Sequence, residues 1–177
     1  MPDLLAQVRS MLATSADRWA AIARADADLL ARQPEPGEWS ALQALQHVVD
    51  TEIGVFQKRL LAIRDGAESF AGFDPEEAGH VGRPEATAPE LAATFAPLRA
   101  ATMDILATLD DGDLVRTSRH EELGIVTMSQ LLNQWAAHDT MHIVQAERAL
   151  MQAFIPASGP WRHFFVDHDV ELKAATA

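Results

Sequence analysis

Apolar residues recur with a helical period through most of this chain. From about Asp3 to Arg32 the positions Leu5, Leu12, Ala16, Trp19, Ala23 and Leu30 share one stripe, which predicts a first long helix. Gln33-Pro34-Glu35-Pro36-Gly37 stops it, because proline removes a backbone donor and clashes with the preceding turn. Ser40-Ala41-Leu42-Gln43 reads as a capping box, in which hydroxyl and amide satisfy first-turn N–H groups, and it opens a second helix to about Arg64. Thr87-Ala88-Pro89-Glu90 is another such box. It begins a third helix with Leu91, Phe95, Leu98, Thr102, Ile105 and Leu109 inward and a kink expected at Pro97. A fourth helix follows Thr127-Met128-Ser129-Gln130 and runs to about Gln152. Four long amphipathic helices predict an all-α fold, a four-helix bundle, in one domain of residues 1–177 with the bundle over about 3–152.

The connections qualify this picture. Asp65 to Ala86 holds Gly66, Gly72, Pro75, Gly79, Gly82 and Pro84, so it is expected to be a long crossover or lid with little regular structure. Between Asp110 and Val126, a turn is expected at Asp111-Gly112-Asp113 and extended chain over Leu123-Gly124-Ile125-Val126. The tail, 153–177, contains Pro156, Gly159 and Pro160 and the aromatic residues Trp161, Phe164 and Phe165, and is expected to fold back over a bundle end. Apolar material outside the four stripes predicts a homodimer packed through bundle helices, with the crossover or tail lining the mouth of any site.

Composition narrows the partners. A chain of 177 residues, 48% hydrophobic, can bury one substantial core. Its net charge of −12 excludes the basic surface a nucleic-acid partner needs. No apolar run approaches the roughly 18 residues that span a bilayer, and Met1 to Arg9 lacks the pattern of a signal peptide, so a cytoplasmic protein is expected. The absence of Cys removes disulfides, thiolate metal sites and a cysteine nucleophile, leaving His, Asp and Glu for any metal chemistry.

The candidate chemistry lies in the fourth helix, where Leu131, Trp135, His138, His142, Ala146 and Ala149 form the inward stripe. An i, i+4 pair stacks on one helix face, so two imidazoles there can converge on one metal ion; the competing account is a hydrogen-bonded core pair. His47 on the second helix is the best third ligand. It flanks the arc of Leu45, Val48, Val49, Glu52 and Phe56, and the small neighbours Ala44, Thr51 and Gly54 leave a void beside it; otherwise it is a boundary residue facing solvent. Asp139 falls on the ligand side and could orient an imidazole or accept a proton, or it is a solvated helix carboxylate; Asp50 and Glu52 have the same standing. His80, His120, His163 and His168 fall outside the bundle helices and read as loop histidines, His120 being the best of them because its loop enters the fourth helix. Arg162 and His163 beside Trp161 form either an ordinary surface turn or a closure over the pocket, and Trp39 and Trp135 read as packing residues.

Glu38-Trp39-Ser40 followed by His47, together with Leu123-Gly124 through Thr127 leading into His138-Asp139-Thr140-Met141-His142 and Gln145, resemble the DinB-like (damage-inducible) superfamily of metal-binding four-helix bundles. The resemblance spans roughly Leu4 to Leu150. It implies a DinB/maleylpyruvate-isomerase-like bundle with a divalent metal ion, commonly zinc, nickel, iron or manganese, on His47, His138 and His142, and often a dimer. Characterised members include transferases that use the low-molecular-weight thiols mycothiol or bacillithiol, and a thiol-dependent maleylpyruvate isomerase is related.

Three functions are compatible with these residues. A metal-dependent transferase would join a low-molecular-weight thiol to a small electrophile, and the lack of Cys makes a supplied thiol attractive. A metal-dependent hydrolase would share the ligands and need a base such as Asp139 or Glu52. A metal-binding stress protein would hold the ion without turnover.

Overall fold

The structure, a computed structural model, describes residues 3–73 and 85–171. Helix α1 covers Leu4–Ile22 and is capped by Asp3, whose side chain accepts from the Ala6 amide. The first helix was expected to reach Arg32, but it stops here. Asp26 takes the amides of Asp28 and Leu29 and starts a separate short helix, α2, at Ala27–Ala31. A carboxylate that satisfies free first-turn amides favours a new start over a continued turn.

The expected second helix is divided as well. α3 runs over Ala41–Thr51, a π-helical turn over Glu52–Phe56, and α4 over Gln57–Arg64. Its start is the capping box of Ser40 and Gln43. A π turn inserts one residue into the helical register and is frequent at functional sites. α5 covers Ala88–Ala107 without interruption at Pro97, behind the Thr87/Glu90 capping box. α6 covers Met128–Met151 behind that of Thr127 and Gln130.

The bundle also carries a small sheet, of which only the Leu123–Val126 segment was expected. β1 (Ser69–Phe70) pairs in parallel with β2 (Thr117–His120), which pairs antiparallel with β3 (Gly124–Thr127). In β2 the inward side chains are Ser118 and His120, alternating as a half-buried strand requires. Gly124, at φ +78°, takes the turn between β2 and β3 into the left-handed region without a Cβ penalty. The centre of the expected crossover, with Pro75, Gly79, His80, Gly82 and Pro84, lies outside the described residues.

Two apolar cores fill the bundle, one above and one below a polar layer. The first gathers Trp19, Ala44, Leu45, Val49, Phe95 and Ile143, and the second Leu12, Phe56, Leu60, Leu106, Leu132 and Trp135. Between them each long helix contributes buried polar residues: Ser15 from α1, Glu52 after α3, Arg99 and Thr102 from α5, and Asp139 from α6.

The tail folds back onto the C-terminal end of α6. A 3-10 segment covers Pro156–Phe165, after which Gln152 donates to the His168 carbonyl at 2.9 Å and accepts from the Val170 amide at 3.2 Å. Among the described residues no helix is long and apolar enough to cross a membrane.

Candidate metal centre

α3 and α6 pack side by side, and this brings His47 against the inward pair of α6. The helical spacing of His138 and His142 places their ring centroids 4.4 Å apart, and His47 lies 4.6 Å from His142 and 5.2 Å from His138. One nitrogen from each of the three rings lies within 4.8 Å of the other two. His47 Nε2 is 3.2 Å from His138 Nε2. Two imidazoles held about 2.0–2.1 Å from one tetrahedral zinc ion would place their nitrogens about 3.3 Å apart, so the pair already has ligand spacing.

Hydrogen bonding directs the rings toward that point. His142 Nδ1 is 2.8 Å from Gln145 Oε1, an acceptor, so the proton sits on Nδ1 and the Nε2 lone pair is free to ligate. His138 Nδ1 is buried without a hydrogen-bond partner, so interactions available to this ring's nitrogens lie on the Nε2 side. Trp39 covers the group, stacked on His142 at 5.7 Å and 17° and tilted on His47 at 4.8 Å. Phe56, from the π turn, sits edge-on to His138 at 5.0 Å and stacks on Trp135.

All three rings are held neutral, the form that donates a lone pair to a cation. Burial, then the charge of His142, lowers the pKa of His47 to about 4. Burial, then the charges of His142, His47 and Arg99, lowers that of His138 to about 3. Burial also lowers His142, opposed by its bond to Gln145 and by the Asp139 carboxylate.

Asp139 is neither solvated nor bonded to an imidazole. It is 2% exposed and lies in the polar layer, where its Oδ2 is 2.8 Å from Arg99 Nη1 and accepts from Ser15 Oγ at 2.6 Å. Arg99 forms a bidentate pair with Glu52, Nε to Oε1 and Nη2 to Oε2, both at 2.9 Å. Thr102 donates to Glu52 Oε1 at 2.6 Å, and Gln57 donates to Thr102 at 2.8 Å. Burial alone would lower the Arg99 pKa, but Asp139 and Glu52 outweigh it and raise it. The layer therefore places two carboxylates and one guanidinium beneath the imidazoles, a formal excess of one negative charge. The sequence reading missed Arg99. Its signal was a basic residue four positions after Phe95, within the apolar arc of the third helix.

A cleft of about 240 Å³ opens beside His47 and His138, with Thr51, Phe56, Arg59 and His120 among its walls. The void expected around His47 is thus on its Thr51 side; Ala44 belongs to the first apolar core, and Phe73 Cε2 comes within 3.7 Å of where a Cβ on Gly54 would stand. His120 is a buried strand residue, not a loop histidine, and stands outside the three-ring group. Arg162 pairs with Asp169 and Glu171 of the tail, His163 Nδ1 donates to the Pro160 carbonyl, and His80 lies outside the described residues.

A family model described as the DinB superfamily matches residues 5–146. No curated protein matches the chain.

Proposed function

Because the chain belongs to the DinB superfamily, we propose that it holds one divalent metal ion on His47, His138 and His142 and serves as a metal-dependent transferase, joining a low-molecular-weight thiol such as bacillithiol or mycothiol to a small electrophile. The observation that carries the metal assignment is the convergence of three neutral imidazoles, two of them already at ligand spacing. Zinc, nickel and iron suit such nitrogen donors, whereas manganese prefers oxygen ligands. The ion would supply charge that stabilises a thiolate at neutral pH.

The chain's own residues supply the rest. Gln145 holds His142 in the ligating tautomer. Trp39 and Phe56 shield the rings from water, and the cleft beside His47 and His138 receives the small molecules. The transfer is favoured over hydrolysis because Asp139 and Glu52, the carboxylates expected to activate water, are engaged by Arg99. Asp139 then acts on the reaction through the charge it places beneath the rings. Among the described residues the acid that lines the cleft is Glu122, which interacts with Arg59.

Cobalt substitution tests this reading. Cobalt-loaded protein titrated with a small thiol should develop the intense near-ultraviolet absorption of a cobalt–thiolate bond. A spectrum that stays unchanged at saturating thiol overturns the transferase and leaves metal binding standing.

A further inference from the structure

His120 has a polarity that none of the metal chemistry uses. It ends β2, at 5% exposure, with its ring edge-on to Phe70 at 5.4 Å. Its Nδ1 accepts two backbone hydrogen bonds across the hairpin turn, from the Glu122 amide at 3.1 Å and the Leu123 amide at 3.3 Å. An imidazole nitrogen that accepts from two N–H groups carries no proton, so in the neutral ring the proton is on Nε2. Among the described residues that Nε2–H has no hydrogen-bond partner, and His120 is one of the residues that line the cleft. The hairpin thus fixes a buried imidazole as a hydrogen-bond donor, on the wall of the same cleft that His47 and His138 line.

The cleft also indicates what such a donor would hold. Among the described residues its charged lining side chains, Arg59 and Glu122, have opposite sign and interact with each other, so the wall away from the metal ligands offers no net charge to an ionic group. Val55, Phe56, Phe73 and Leu123 add apolar surface, and Thr51 and Gln134 add neutral polar groups. Its volume of about 240 Å³ falls below the roughly 300–1,000 Å³ of sites for drug-sized ligands, so the occupant is small.

We propose that His120 is a substrate-binding residue, and that its Nε2–H donates to the neutral carbonyl oxygen of a small electrophile held in the cleft. This deepens the transferase assignment and rests on it for the identity of the bound molecule as the electrophile. The substrate class is then carbonyl compounds, with the apolar body against Phe56 and Phe73. A donor fixed in place before the ligand arrives also strengthens its bond if the oxygen gains negative charge during reaction.

The test needs no thiol and no turnover, so its failure is separate from failure of the cobalt titration. The full chain, zinc-loaded and with its histidines labelled with nitrogen-15, is titrated with N-methylsuccinimide, an unreactive carbonyl compound. Long-range proton–nitrogen spectra should show His120 protonated at Nε2 and should move that signal as the probe binds. Two substitutions separate donor from scaffold. His120→Asn can still accept from the turn amides but places no donor at the Nε2 position; His120→Gln does the reverse. The Asn variant should bind the probe about three- to tenfold more weakly, and the Gln variant should retain most of the affinity. A proton on Nδ1, a probe that fails to bind or leaves His120 unmoved, or an Asn variant that binds like the parent protein each overturns the proposal.

Discussion

Asp139 follows His138 in the chain, yet the two side chains serve different layers: His138 Nε2 meets His47 Nε2 at 3.2 Å, whereas Asp139 Oδ2 meets Arg99 Nη1 at 2.8 Å. Successive residues on a helix are about 100° apart, so one turn of α6 presents a ligand to the cleft and a carboxylate to the bundle axis. The charge beneath the imidazoles is thereby locked to their position.

Removing a ring should remove the metal and leave the fold. His47→Ala, His138→Ala and His142→Ala are each expected to lower metal affinity by at least about a hundredfold, since first-sphere ligands matter more than the outer partners whose loss costs 10–100-fold. Elemental analysis of the purified variants measures this. Circular dichroism should remain helical, because two apolar cores supply the burial. Full occupancy in His47→Ala would exclude it as the third ligand.

Gln145 should matter without touching the ion. Gln145→Ala removes the acceptor at 2.8 Å from His142 Nδ1, frees the tautomer, and is expected to weaken metal binding about 10–100-fold. Gln145→Glu keeps an acceptor and should restore much of the affinity. Competition with a chelator reads both.

Arg99 is expected to be the most costly single substitution in the polar layer. Arg99→Met leaves Glu52 and Asp139 buried without their cation and should destabilise the protein by about 3–5 kcal/mol. The triple variant that also carries Glu52→Gln and Asp139→Asn should recover part of that loss. Urea unfolding at neutral pH gives both values.

The metal-free protein should lose stability on acidification before its carboxylates titrate. His47 and His138 have folded pKa values of about 4 and about 3, below the unfolded value of about 6.5. As pH falls below about 6.5 the unfolded chain binds protons that the folded chain refuses, so stability is full above that pH and declines toward the folded values. Urea midpoints between about pH 7 and about pH 4 should follow this slope, and His47→Gln/His138→Gln should flatten it.

A homodimer is the expected assembly, because apolar side chains stay exposed among the described residues. Phe154, Trp161, Phe164 and Val166 near the tail, and Met141 and Val144 on α6, are exposed. Light scattering across a range of concentrations should give about twice the chain mass of 19.3 kDa. A mass of one chain throughout would overturn the dimer.

What the sequence determined by itself was local. The capping boxes at Ser40, Thr87 and Thr127 open helices in the structure because each is satisfied within four residues. The inward direction of His138 and His142 follows from periodicity for the same reason. Tertiary structure decided the rest. His47 meets His138 across 91 residues of chain, and Arg99 bridges to Glu52 across 47 and reaches Ser15 across 84. No helical period reports such pairings. Nor could periodicity foresee that Asp26 would start a separate helix, that a π turn would interrupt the second helix, or that β1 would pair with a hairpin and bury His120. Each of these depends on which groups the packed chain leaves to be satisfied, and that is settled only when distant segments meet.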